Sequence, residues 1–166
     1  MDQPQTDLRV MVDANILIAG SVWPRWSYKV LQHALRGDFR LVLSKYIIQQ
    51  AHRRILVRFP AYIDSFDALL QTCQYEIVAD PAKELVDRYG DLVRDQTDVP
   101  IILAAINAGV DYLVSEDKDL TSAKPNQSLT VMISGTFLRQ VMGRTSEELE
   151  RIRYRTWRDI RGPEEM

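Results

Sequence analysis

Short apolar runs alternate along this chain with longer stretches of helical periodicity, and this alternation limits the fold more than any other feature. The runs are rich in Val, Leu and Ile, and they cover residues 8–12, 39–43, 112–115 and 129–133. Each run is too short for a helix and fits a strand that is buried on both faces. Residues 75–78 form either a further strand or an extended link. We predict an α/β domain with a central parallel sheet of four to five strands and helices on both faces.

Segments with helical spacing fill the gaps between these strands. The predicted helices cover residues 27–35, 46–59, 60–73, 99–109, 134–143 and about 145–160, with a further helical turn from Pro81. Ser44 stands where a helix N-cap belongs, and Gly109 stands where a helix ends. Residues 20–26 are predicted to form a loop and residues 116–119 an acidic turn. We expect one domain over residues 1–166, with residues 1–7 disordered.

The composition favours a folded domain and argues against some functions. The chain is 46% hydrophobic and 27% charged, which is typical of a globular protein with one core. Its net charge of -2 and pI of about 5.7 weigh against a module that grips nucleic acid mainly by its phosphates. They weigh less against a nuclease, because an acidic metal site subtracts charge that a bound cation restores.

The cysteine content and the apolar runs bear on location. A single cysteine, Cys73, cannot form an internal disulfide, which favours a reducing compartment. The N-terminal residues lack the charged-then-apolar pattern of a signal peptide. No apolar run approaches the ~18 residues that cross a membrane. We therefore expect a cytoplasmic protein that has no membrane partner.

Acidic residues stand near the ends of two predicted strands. Asp13 ends the first strand, and Asp117 follows the fourth strand by two residues. Asp98 opens the apolar helix that leads into that fourth strand. Such sheets bind ligands at the carboxyl ends of their strands. If the first and fourth strands are neighbours, the three carboxylates converge.

Converged carboxylates repel one another and raise each other's pKa, and a divalent cation removes that conflict. Their oxygens suit Mg²⁺ or Mn²⁺, and such a site can hydrolyse a phosphodiester without a Ser, Cys or His nucleophile. Each residue also has a structural alternative. Asp13 fits a turn, Asp98 fits a helix N-cap, and Asp117 with Asp119 fits a solvated acidic turn.

Three stretches of the chain, within about residues 8–140, resemble the PIN domain family, in particular the bacterial and archaeal branch of VapC-like toxin ribonucleases. They are VMVDANILIAGSVWP, GDFRLVLSKYIIQQAHRRIL and DVPIILAAINAGVDYLVSEDKDL. The resemblance implies a PIN-like fold and an Mg²⁺- or Mn²⁺-dependent endoribonuclease. It also implies an RNA substrate, a small antitoxin partner and a homodimer.

The resemblance assigns roles to particular residues. It implies that Asp13, Asp98 and Asp117 are catalytic and that these three with Asp119 bind the metal. Asn15 is expected to hydrogen-bond Asp117 or the substrate, and Ser115 to orient a ligand or a water molecule. For both residues a purely structural role at a strand end is the alternative.

One position departs from the family pattern. The family has a glutamate about six residues after the serine that starts the second helix, and this chain has Gln50 there. An amide is a poor metal ligand beside a carboxylate. The alternative function is therefore a catalytically degenerate PIN fold that binds RNA or another protein. An aspartyl phosphatase is a third reading, against which Asn15 stands where a second aspartate is expected.

Three further groups have both a functional and a structural interpretation. The residues His52, Arg53, Arg54 and Arg58 contact RNA or form a solvated helix face, and the second is favoured. The aromatic residues Trp23, Trp26 and Tyr28 stack bases, or they pack a loop or a dimer interface. The arginines of the C-terminal tail serve a partner, or they belong to a peripheral amphipathic helix, and the helix is favoured.

Overall fold

The computed structural model describes residues 7–91, 95–121 and 129–160. Within these residues the strands are β1 (Arg9–Val12), β2 (Arg40–Ser44), β3 (Tyr75–Val78), β4 (Tyr112–Val114) and β5 (Thr130–Met132). All pairings are parallel, and the order across the sheet is β3-β2-β1-β4-β5. The predicted α/β class and parallel sheet are confirmed. The predicted disorder of residues 1–7 falls, except for Asp7, outside the described residues.

The described helices are α1 (Ala14–Val22), α2 (Trp26–Leu35), α3 (Lys45–Arg58), α4 (Ile63–Thr72), α5 (Lys83–Arg88), α6 (Val99–Ala108), α7 (Lys118–Thr121), α8 (Ser134–Gln140) and α9 (Ser146–Ile152). Short 3-10 turns lie at Pro60–Tyr62, Gln96–Asp98 and Trp157–Asp159. None of these helices combines the length and the apolar character that crossing a membrane requires.

The central strand β1 shows why the sheet needs helices on both sides. Consecutive strand residues point to opposite faces, and Val10, Met11 and Val12 are all fully buried. The register pairs Val12 with Val114 of β4, so the first and fourth strands are neighbours, as the convergence of the acids requires. The carboxyl ends of β1 and β4 therefore lie side by side.

The segment after Asp13 is a helix, α1, which the sequence pattern did not predict. The predicted loop over residues 20–26 is wrong for its first half, because α1 continues through Gly20 to Val22. Gly20 is there for packing: a Cβ at this position would lie 2.4 Å from Cδ1 of Leu31 on α2. A glycine inside an apolar run therefore marked a close contact between helices rather than a turn.

Two other predicted boundaries also move. The acidic turn at residues 116–119 is shorter than expected, because α7 begins at Lys118. The last helix, predicted over about 145–160, ends at Ile152. A capping box begins this helix: the Thr145 hydroxyl accepts from the Glu148 N–H, and the Glu148 carboxylate accepts from the Thr145 N–H.

Candidate functional site

Asp13 lies at the junction of β1 and α1, and both of its oxygens are used. Its Oδ1 accepts a hydrogen bond from the Ile16 N–H at 3.0 Å, so the side chain caps α1. Its Oδ2 accepts a short hydrogen bond from the Ser115 hydroxyl. The carboxylate is only 3% exposed. Two structural elements thus fix it at the carboxyl edge of the sheet.

Ser115 connects Asp13 to Asp117. It is fully buried directly after β4, and its Oγ accepts a hydrogen bond from the Asp117 N–H at 2.9 Å while its hydroxyl donates to Asp13. The Asp119 N–H in turn donates to Oδ1 of Asp117 at 2.8 Å. The backbone after β4 therefore orients the Asp117 carboxylate, and Asp119 contributes to that through its main chain.

Asp98 reaches the same edge from the start of α6. It occupies the N-cap position, but its side chain makes no capping hydrogen bond. The Asp95 carboxylate caps the preceding 3-10 turn instead, accepting from the Thr97 N–H at 3.0 Å. The Asp98 Oδ2 atom is buried and has no hydrogen-bond donor. The interpretation of Asp98 as a helix N-cap is therefore wrong for its side chain.

Burial and neighbouring acidic groups raise the pKa values of Asp13 and Asp98. Burial raises the pKa of Asp13 to about 6, opposed by its hydrogen bonds and assisted by the charges of Asp117 and Glu116. Burial raises the pKa of Asp98 to about 7, assisted by a carboxyl–carboxyl contact with Asp117 and by the charges of Asp117, Asp95 and Asp13. The structure thus brings Asp13, Asp98 and Asp117 together as a group that is short of positive charge.

These residues fit a hard divalent cation. A buried carboxylate oxygen without a donor is costly unless a proton or a cation meets it. Within residues 7–91, 95–121 and 129–160, no group of three or more acidic, His or Cys side chains lies in positions that could hold a metal ion together. Mg²⁺ does not need one, because it keeps several waters and binds through one or two carboxylates. The donor set therefore suits an open site with room for substrate oxygens.

Asn15 makes no hydrogen bond to Asp117, which was one of its two expected roles. Its Oδ1 accepts a hydrogen bond from Nη1 of Arg54 on α3, at 3.0 Å. Asn15 lies in the first turn of α1, next to the capped Asp13 junction. This contact brings an arginine of α3 beside the acidic group.

One face of α3 is turned towards the acidic group. Tyr46, Gln50 and Arg54 are spaced by four residues and therefore share a helix face. The Tyr46 hydroxyl donates to the Thr97 carbonyl at 2.6 Å, next to Asp98, and Arg54 reaches Asn15. Burial and then the charge of Asp98 raise the pKa of Tyr46. Gln50, buried between Tyr46 and Arg54, thus lies on the face nearest the carboxylates.

Sequence reasoning missed Tyr46. The available signal was its spacing of four residues from Gln50 on a helix that Ser44 caps. That cap is confirmed, because the Ser44 Oγ accepts a hydrogen bond from the Ile47 N–H at 3.2 Å. What the sequence could not show is how α3 is rotated about its axis relative to the strand ends.

The aromatic residues near α2 take part in packing. The Trp26 indole donates to the Leu149 carbonyl of α9 at 2.9 Å. The rings of Tyr28 and Trp157 meet edge to face, with centroids 5.3 Å apart. Trp23 packs edge to face on Phe59 and keeps 38% of its surface exposed. These contacts favour the packing interpretation for Trp26 and Tyr28.

A five-stranded parallel sheet with carboxylates at the ends of adjacent strands defines an α/β protein that has an acidic site at the sheet edge. A family model described as PIN domain matches residues 9–119. This match spans Asp13, Asp98, Asp117 and Asp119, and the chain belongs to the PIN domain family.

Solved structures share this fold. The crystal structure of PAE2754 from Pyrobaculum aerophilum is 18% identical with a TM-score of 0.60, and the alignment covers 82% of this chain and 97% of that chain. VapBC2 from Rickettsia felis bound to a DNA fragment from their promoter is 15% identical with a TM-score of 0.54, covering 76% and 98%. A search of curated proteins finds no match.

Proposed function

We propose that this protein is a divalent-metal-dependent endoribonuclease. The observation that carries the proposal is the group of Asp13, Asp98 and Asp117, with the buried Asp98 Oδ2 lacking a hydrogen-bond donor. Asp13, Asp98 and Asp117 would hold Mg²⁺ or Mn²⁺, with Asp119 as a further ligand. An ion bound there would polarise a phosphodiester and lower the pKa of a water molecule.

The chain's own residues would hold this group in place. In the hydrolysis a water oxygen bonds to phosphorus, one P–O ester bond breaks, and the leaving oxygen takes up a proton. Ser115 fixes Asp13 with its hydroxyl and Asp117 through the Asp117 N–H. Because the same serine bonds the Asp13 carboxylate and the Asp117 main chain, the two residues are held beside each other before any substrate arrives.

We propose further that the protein is the toxin of a toxin–antitoxin pair, acts in the cytoplasm and forms a homodimer. The sequence resembles the toxin branch of the family, and VapBC2 has the same fold. The expected partner is a small antitoxin encoded by a neighbouring gene. Induced expression in a bacterial host should arrest growth, and the Asp98→Asn variant should not. Normal growth with the wild-type protein would contradict the toxin assignment.

The first experiment is cleavage of a mixed structured and single-stranded RNA with Mn²⁺, Mg²⁺ or EDTA. Asp98→Asn is the control for contaminating nuclease, because the Asp98 side chain caps no helix and its loss removes no capping hydrogen bond. We expect cleavage by the wild type in metal, none in EDTA and none by the variant. Equal cleavage by the variant and the wild type would exclude the proposed site.

Gln50 motivates a second candidate function, a PIN fold that binds RNA or a protein without cleaving. It is buried on the α3 face nearest the carboxylates, where the family has an acid. This candidate expects no cleavage in either metal. If Gln50→Glu then gained metal-dependent cleavage, the missing carboxylate would explain the inactivity. Strong cleavage by the wild type would exclude this candidate.

A further inference from the structure

Two adjacent arginines of α3 have different surroundings. The Arg53 side chain is exposed and borders a groove between α3 and α4 that is lined by Ile48, His52 and Phe66. Arg54 is half-buried on the other side of the helix and donates to Oδ1 of Asn15. The sequence alone gave both residues the same interpretation, a solvated helix face. The structure separates them.

Arg54 is anchored beside the acidic group by a neutral side chain. Asn15 accepts from Nη1, and a guanidinium has five N–H donors, so most of its hydrogen-bonding capacity is left for another ligand. Its charge reaches the site, since it acts on Tyr46 against the charge of Asp98, and it does so more strongly than the charge of Arg53. A cation held by an amide keeps more of its charge for a ligand than one neutralised in an ion pair.

The expected substrate supplies a matching group. RNA carries a negative charge at each linkage, and three carboxylates repel it. A guanidinium next to the carboxylates offsets that repulsion. It can also donate two parallel N–H hydrogen bonds to the oxygens of one phosphate. We propose that Arg54, positioned by Asn15, binds an RNA backbone phosphate beside the linkage that lies over the carboxylates. This inference rests on the proposed function and adds a substrate contact to it.

The test measures binding without cleavage. A short fluorescein-labelled single-stranded RNA of mixed sequence is titrated in EDTA across a series of salt concentrations, with fluorescence anisotropy as the readout. We expect Arg54→Gln to weaken binding about tenfold, because a charge-assisted hydrogen bond is lost. Its salt dependence should fall by about 0.7 in the log–log slope, the value of one phosphate contact on a single strand.

Arg53→Gln is the matched control, because it removes the same charge from the adjacent residue of the same helix. We expect it to change affinity by less than about twofold, as for an exposed surface charge. Arg54→Lys should keep the salt slope of the wild type and bind with intermediate affinity, because the charge remains while the planar fork is lost. Circular dichroism melts establish that each variant is folded.

The positioning role of Asn15 is tested by comparing the effect of Asn15→Ala with and without the Arg54→Gln substitution. Asn15→Ala should weaken RNA binding in the wild-type background and add little loss in the Arg54→Gln background, because both changes remove one interaction. Additive losses would show that Asn15 acts independently of Arg54 and would contradict its positioning role.

The outcomes separate this inference from the proposed function. If Arg54→Gln and Arg53→Gln bind RNA with equal affinity and equal salt slope, or if the wild type binds no RNA in EDTA, the inference is wrong. If the wild type also cleaves RNA in metal, the proposed function stands without it. A selective loss in Arg54→Gln with no cleavage in any metal would support the phosphate contact and refute the nuclease.

Discussion

The strands begin at one edge of the sheet, the amino edge, and end at the other, the carboxyl edge. Both edges carry acidic residues, but the pKa is lowered at the amino edge and raised at the carboxyl edge. At the amino edge, Arg9 pairs with Glu76 through two hydrogen bonds of 2.7 and 3.0 Å, and the Arg9 N–H donates to Asp111 at 2.9 Å. The Arg9 guanidinium lowers the pKa of Glu76. At the carboxyl edge, burial and mutual repulsion raise the pKa values of Asp13 and Asp98.

This difference separates residues that hold the fold together from residues for which we propose a function. At the amino edge each acid described above meets a donor, so folding satisfies it and gains stability. At the carboxyl edge the fold places three carboxylates together and leaves one oxygen of Asp98 without a donor. Such an arrangement costs stability in the isolated chain, and it lies at the edge where we propose that a cation binds.

The largest expected contrast concerns the two aspartates that flank β4. Asp111 precedes the strand and Asp117 follows it. The same type of substitution, Asp→Asn, can therefore be made at each edge and the two variants compared. We expect Asp117→Asn to lower RNA cleavage by at least about 100-fold, since even outer-shell partners of metal ligands cost 10–100-fold. Asn keeps an oxygen that can accept from the Asp119 N–H, so the local fold should persist.

Asp111→Asn should leave cleavage close to the wild-type rate. Its amide oxygen can still accept from the Arg9 N–H, and the residue lies at the opposite end of the strand. Initial rates under saturating Mn²⁺ measure both variants. Equal losses of cleavage rate in the two variants would mean that the acids of both edges only support the fold. The proposed difference between the two edges would then be wrong.

The second expected contrast is metal-dependent stability. A ligand present at about 100 times its Kd stabilises the folded state by about 2.7 kcal/mol. For a chain of this size, that should raise the Tm by roughly 5–10 °C. Differential scanning fluorimetry with Mn²⁺ and with EDTA measures the change. Asp98→Asn should lose most of this shift while Asp111→Asn keeps it, and a shift of the same size in both would place the ion elsewhere.

The amino edge should instead affect stability without affecting cleavage. Arg9→Met keeps an apolar stem and leaves the partly buried Glu76 and the Ala108 carbonyl without their donor. We expect a loss of about 1–2 kcal/mol in the free energy of unfolding in urea. The Mn²⁺-induced Tm shift should be unchanged. A large loss of cleavage in a folded Arg9→Met protein would show that the two edges are coupled.

The sequence was sufficient to predict the parallel sheet and the convergence of the three acidic residues, because both follow from local patterns. Val-rich runs identify β1 and β4, and the acids stand directly after them or before the helix that leads into β4. Because β1 and β4 are parallel neighbours, the residues that follow them, Asp13 and Asp117, lie close together at the carboxyl edge. The family resemblance added the expected metal and substrate, which the periodicity alone does not provide.

What the sequence could not provide was the rotation and close approach of helices. The Gly20 contact with Leu31 depends on how closely α1 approaches α2 in three dimensions. The contacts of Tyr46 and Arg54 with the site depend on how α3 rotates about its axis above the strand ends. Both are set by tertiary packing, and a residue's spacing on its own helix does not determine them.

The smallest expected effect lies at the amino edge, in the buried His33. Its Nδ1–H donates to Asp38 at 2.8 Å, and its Nε2 accepts from Arg144 at 3.1 Å, so the ring is neutral in this network. Burial lowers its pKa; Asp38 opposes this, and the charges of Arg144 and Arg36 add to it. Protonation would place a second N–H against the Arg144 guanidinium.

The sign of the pH effect follows from that lowered pKa. The unfolded chain protonates His33 near pH ~6.5 and the folded protein only at lower pH, so its stabilisation is complete above that value. As the pH falls through this window, the advantage of the wild type over His33→Gln should shrink. Urea unfolding at a series of pH values measures the difference between the two proteins, so that other titrating groups cancel. His52→Gln controls for the loss of a histidine as such. A pH profile of His33→Gln that runs parallel to the wild type would show that His33 is not a pH-dependent part of the amino edge.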